Sequence, residues 1–157
     1  TWVHGWVNNP PMDRLGCRLL YSLKGLPMSI AYWCILIAAA LPYVWVSVAK
    51  AKGKRYNNRD PRGWLAKQDD PRSQRANAAQ LNAFEAFPAF AASVLMAQFA
   101  QVDGQRIIWL AMAFVAFRVL HGIFYIADKH SLRSLVWFGG FASVIALMVS
   151  AAMKVAG

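Results

Sequence analysis

Four long apolar runs alternate with polar connections along this chain. They cover residues 30–48, 76–100, 107–127 and 132–152, each near the roughly 20 residues a helix needs to cross hydrocarbon. Pro42 and Pro88 interrupt the first two runs. Neighbouring groups re-satisfy freed carbonyls in membrane helices, so both prolines predict kinks and not breaks. The connections differ in character. Residues 50–74 are polar and basic, with Asn57-Asn58, Pro61, Gly63 and Pro71 as turn or breaker signals. Residues 101–106 are short, with Asp103-Gly104 as the expected turn, and 128–131 are shorter still. The pattern predicts an all-α integral membrane protein with four spans.

Polar residues enter two of these runs at helical spacing. Arg75, Asn82 and Glu85 lead into and through the second. At about 100° per residue Arg75 and Asn82 are nearly in line, and Glu85 is roughly 60° away. Arg118 sits mid-way along the third run, with His121 and Tyr125 on the same face. An ionisable side chain at membrane depth costs about 3 kcal/mol or more, so it faces a bundle interior or a wet cavity. Taken singly, Arg118 could be an ion-pair partner of Glu85, His121 a packed core histidine and Tyr125 an interfacial aromatic. Together they form a second polar face opposite Asn82 and Glu85, and convergent polar groups between helices are how bundles build ligand sites. Arg133 and Ser134 open the fourth run. An isolated arginine there would be a snorkelling anchor. Trp64 and Trp137 are read as interfacial or core aromatics.

Composition supports a membrane class. Of the 157 residues 58% are hydrophobic and only 15% charged, with seven tryptophans and nine phenylalanines. The net charge of +10 is not spread over a soluble face as nucleic-acid binding would require. Nine of the 17 Lys and Arg lie between Lys50 and Arg75, the pattern of a cytoplasmic loop under the positive-inside rule. With four spans, both termini and Asp103-Gly104 fall on the opposite side. No nucleic-acid partner is expected. Cys17 and Cys34 have neither metal spacing nor a disulfide framework, so no metal site is expected.

Residues 1–27 contain no apolar run long enough to span and a breaker cluster at Asn8-Asn9-Pro10-Pro11. They lack the pattern of a signal peptide. They are read as an upstream extension of unassigned role, with the membrane domain over 28–157.

The polar constellation resembles the MAPEG family, the membrane-associated proteins of eicosanoid and glutathione metabolism. Arg75–x6–Asn82–x2–Glu85–x2–Pro88 is similar to the second span of the leukotriene-forming synthases. Arg118–x2–His121–x3–Tyr125 is similar to the third span of the microsomal prostaglandin E synthase, and Arg133-Ser134 falls where members keep an arginine implicated in thiol activation. The segment from Asp60 to Lys67 is similar to the loop of bacterial members, which implies a bacterial inner membrane. Ala78 stands where an arginine is often found.

The resemblance implies a left-handed, up-down four-helix bundle assembling as a homotrimer, with glutathione, as co-substrate, held between neighbouring subunits near the cytoplasmic face. Arg75, Asn82, Glu85, Arg118, His121 and Tyr125 would bind the tripeptide, while Arg133, with Ser134 as a second donor, would face its thiol. The implied activity is a glutathione transferase or peroxidase acting on lipophilic electrophiles or lipid hydroperoxides drawn from the bilayer. The alternative is a non-catalytic, lipid-binding or accessory subunit of the same family. A small transporter is disfavoured by the absence of internal repeats and broken spans.

Overall fold

The computed structural model describes residues 27–53 and 56–157. Its elements are α1 (Ser29–Lys52), α2 (Pro61–Ala66), α3 (Pro71–Phe99), α4 (Gly104–Ile126) and α5 (His130–Ala156). No strand occurs among the described residues. The extension, apart from Pro27, and Cys17 lie outside the described residues, as do Lys54 and Arg55 of the basic loop.

The four expected runs are the four long helices, but each helix reaches beyond its apolar run. The largest extension corrects the reading of the basic connection as a loop of breakers. Asp60-Pro61-Arg62 and Asp70-Pro71-Arg72 are two copies of one start signal. The Asp60 carboxylate accepts from Gly63 N, and that of Asp70 accepts from Arg72 N and Ser73 N. Each proline occupies a first helical position, where its missing N–H costs nothing. Pro61 therefore opens the short helix α2, a fifth helix beyond the expected four. Pro71 opens α3 five residues before the apolar run begins.

The second correction concerns the turn between α3 and α4. It sits at Gln101, whose φ of 56° is left-handed, not at Asp103-Gly104. Val102 N reaches back to Ala97 O, closing the helix end in a Schellman arrangement. Asp103 caps α4 by accepting from Arg106 N, and Gly104 is already helical. The α4–α5 corner repeats the device, with Asp128 at φ 61° and Lys129 N bonded to Phe124 O.

Pro42 and Pro88 lie inside continuous helices, as expected. α1 packs along α3 and α4 along α5, while α3 also contacts α4 and α5. The shared core is apolar, with Phe90 and Phe114 stacked at 3.9 Å and surrounded by Val94, Ile107, Ile108 and Leu147. Two close approaches depend on glycine. A Cβ on Gly122 would collide with the Trp45 indole, and one on Gly139 would fall 2.7 Å from the Phe117 ring. The outer surface is also apolar, with Trp33, Tyr43, Phe99, Leu135 and Phe138 all exposed. In water this would be costly; in lipid it is the expected exterior.

Helices α1, α4 and α5 are long and apolar enough to cross a membrane. Helix α3 is longer, at 29 residues, but Asn82, Glu85 and Gln98 interrupt its apolar stretch. The Gln98 side chain accepts a 2.7 Å hydrogen bond from Tyr32 on α1. The protein is an integral membrane protein.

Candidate functional site

Arg118 is placed on α4 by the apolar residues around it, and it is 5% exposed. Its stem lies against Gly140 of α5, where a Cβ would be 3.6 Å from Cδ. Its guanidinium turns to α3, and Nη2 donates to Asn82 O at 2.9 Å and to Asn82 Oδ1 at 2.6 Å. These are charge-assisted bonds, roughly twice as strong as neutral ones. With Oδ1 so occupied, the Asn82 amide nitrogen faces Glu85 and donates to Oε2 at 3.4 Å. The simple ion pair considered from sequence is therefore replaced by an arginine–amide–carboxylate chain. Glu85 itself is exposed on the surface of the single chain.

One turn further along α4, His121 is 3% exposed and its ring meets Tyr125 edge-on at 5.5 Å. Arg133, half-buried at the start of α5, holds its guanidinium carbon 4.4 Å above the Tyr125 ring. A planar guanidinium stacked this way keeps its in-plane donors free for another acceptor. Ser134 points the same way, but its hydroxyl donates to the His130 carbonyl at 3.1 Å.

Two clefts run between α3, α4 and α5. The first, about 380 Å³, has Asn82, His121, Tyr125, Arg133 and Ser134 among its walls. The second, about 230 Å³, is bounded by Glu85, Arg118, Phe114 and Val144. Asn82 and Trp137 belong to both, so the clefts adjoin. Together they form a passage with a cationic, hydrogen-bonding end at Arg133 and an aromatic end at Phe114 and Phe141. Trp137, stacked on Phe141 at 5.4 Å, stands at the junction. This arrangement can hold a polar, anionic molecule at one end and an apolar one beside it.

Seven of the eight residues singled out from sequence thus line adjoining walls. Arg75 does not. Its Nε donates to Ile126 O at 3.2 Å and its Nη1 pairs with Asp128 at 3.5 Å. It ties the start of α3 to the α4–α5 corner. The helical alignment with Asn82 was sound, but seven residues are two turns, about 10 Å, which carries Arg75 beyond the passage. Trp137 was missed as a wall of the site. Its position four residues past Arg133, on the same face, was the available signal.

Comparison with protein-family models matches the MAPEG family over residues 30–153. The chain belongs to the MAPEG family. No curated protein and no solved structure matches it. The matched segment contains all of the site residues and excludes the whole of the 1–27 extension, so this MAPEG protein carries its polar passage within the family's own domain. Among the described residues no cluster of His, Cys, Asp and Glu could hold a metal ion. Cys34 is a buried free thiol in the α1 face of the core.

Proposed function

We propose that this MAPEG protein is a membrane-bound glutathione transferase or peroxidase, working as a homotrimer. The observation that carries the reading is Arg133, stacked on Tyr125 at the mouth of a cleft shared with Asn82 and His121. Glutathione is the thiol donor, its carboxylates and amine held by Arg118, Asn82, Glu85, His121 and Tyr125. Arg75 supports these from outside by fixing the corner from which α5, and so Arg133, departs. The exposed Glu85 favours assembly, because a carboxylate at membrane depth needs a polar partner that a neighbouring protomer can supply.

A thiol of ordinary pKa near ~8.5 is mostly protonated at neutral pH, and only its thiolate is nucleophilic. A cation within ~4–6 Å lowers such a pKa by about one to two pH units. Arg133 supplies that cation, while the thiol proton leaves to water. With an alkyl or aryl electrophile, sulfur forms a bond to carbon and the leaving group departs with its electron pair. With a lipid hydroperoxide, sulfur takes the distal oxygen, the alkoxide is protonated to an alcohol, and a second glutathione converts the sulfenic acid to the disulfide and water. The aromatic end of the passage receives the lipophilic partner from the bilayer. For Ser134 to help, its hydroxyl must leave the His130 carbonyl.

The basic end faces the cytoplasm of a bacterial inner membrane in this reading, with α3 as the second of four spans. Isothermal titration of the purified protein with glutathione, followed by thiolate absorbance near 240 nm, tests it. The competing reading, a lipid-binding accessory subunit, draws support from the engaged Ser134 hydroxyl and expects no thiolate signal.

A further inference from the structure

The described residues between α1 and α3 form a folded cap, tied to both helices. Ser73 Oγ on α3 donates to Ala49 O on α1 at 2.9 Å, in a buried contact. Trp64 of α2 is buried against Gly53, where a Cβ would meet its ring, and Tyr56 packs edge-on against it at 5.1 Å. Lys50 lies 4.1 Å above the Tyr56 ring. Backbone atoms under the basic residues are fixed as well: Arg59 N bonds Asn57 Oδ1, Lys67 N bonds Trp64 O, and Arg72 N bonds Asp70 Oδ1.

From this scaffold Lys52, Arg59, Arg62, Lys67 and Arg72 project as exposed side chains. Among the described residues none of the five has an ion-pair partner, and two nearby acids, Asp60 and Asp70, are spent on helix N-caps. The cap adjoins the polar end of α1. The exposed apolar residues of α1 include Tyr43 and Val44, and Lys50 and Lys52 follow six and eight residues after Val44. At about 1.5 Å per residue, Lys50 and Lys52 stand roughly 9–12 Å beyond Val44 along the helix axis.

We propose that this cap is a docking surface for the headgroups of anionic phospholipids in the leaflet that surrounds it. An orientation signal needs only a count of positive charges. Five exposed cations, none ion-paired among the described residues, on a folded scaffold at the polar end of α1 complement a negatively charged lipid surface, the chemistry of juxtamembrane basic clusters. Because Ser73 and Arg75 join the cap to α1 and to the α4–α5 corner, lipid held there also braces the corner that carries Arg133.

The test reconstitutes the full-length protein in phosphatidylcholine vesicles containing trace spin-labelled phosphatidylglycerol or spin-labelled phosphatidylcholine. The immobilised fraction of each probe is read by electron paramagnetic resonance. Wild type is expected to retain the anionic probe several-fold more than the neutral one, with the preference shrinking as salt rises. The combined variant Lys52→Gln, Arg62→Gln, Lys67→Gln should bring the two probes close to parity, with unchanged helix content by circular dichroism. Arg106→Gln with Lys154→Gln, at the other end of the bundle, should leave most of the preference intact. Equal retention in wild type overturns the proposal, as does a preference that survives in the cap variant. Loss of the preference on adding inorganic phosphate at constant ionic strength also overturns it, in favour of a soluble anion.

Discussion

Arg118 and Asn82 meet across the α3–α4 interface through two hydrogen bonds, one to the asparagine's backbone oxygen and one to its side chain. The second bond orients the amide, and the amide then addresses Glu85. A buried cation is thereby coupled to an exposed carboxylate without direct contact.

That coupling makes Arg118 costly to lose. Hydrogen bonds to a charged group contribute about 1.5–3 kcal/mol, so Arg118→Ala should lower the thermal midpoint in detergent and weaken glutathione binding together. Arg118→Lys keeps the charge without the fork and should fall between the two. Scanning fluorimetry and titration on the same samples check this; unchanged stability in Arg118→Ala would show that the bonds contribute little.

Gly122 is the second sensitive point. Its neighbour Trp45 occupies the space that a side chain would need, and forcing extra atoms into a packed interface costs about 1–3 kcal/mol. Gly122→Ala should reduce the thermal midpoint, and adding Trp45→Phe should recover part of the loss. Absence of any recovery would place the strain elsewhere.

Glu85→Gln addresses assembly. Native mass spectrometry in detergent is expected to give a trimer for wild type and a larger share of smaller species for the variant. A wild-type monomer or dimer would remove the basis for a site shared between protomers.

Topology can be read from two engineered cysteines, in a background with Cys17 and Cys34 replaced. A side chain at Gly104 meets nothing within 4 Å, so Gly104→Cys is well tolerated, and Asn57 is exposed. In sealed inverted vesicles Asn57→Cys should react with an impermeant maleimide and Gly104→Cys should not. Equal labelling would overturn the four-span arrangement.

Much of this architecture was legible in the chain. The four long helices follow from apolar runs of spanning length, and the pairing of the two polar faces follows from helical phase at Asn82, Arg118 and His121. The failures were local. Pro61 and Pro71 read as breakers because a proline both ends and begins helices, and only the preceding aspartates distinguish the two roles. Gln101 gave no sign of its left-handed conformation, whereas Asp103-Gly104, a strong turn signal, serves as a cap and first turn. Arg75 shares a phase with Asn82, but phase does not report axial distance. An aromatic such as Trp137 in an apolar run has no polar contrast to mark it, and only its spacing of four residues from Arg133 points to the site.

The role of Arg133 as the cation that stabilises a bound thiolate is tested most directly by the ultraviolet thiolate absorbance of glutathione-saturated protein, titrated against pH. Wild type should show a thiol pKa clearly below that of free glutathione. Arg133→Ala should raise it by about one pH unit or more and cut turnover in proportion, with glutathione affinity within a few-fold of wild type. If the variant remains folded and assembled while its thiolate absorbance and turnover match wild type, Arg133 is only a helix anchor and the catalytic account is contradicted.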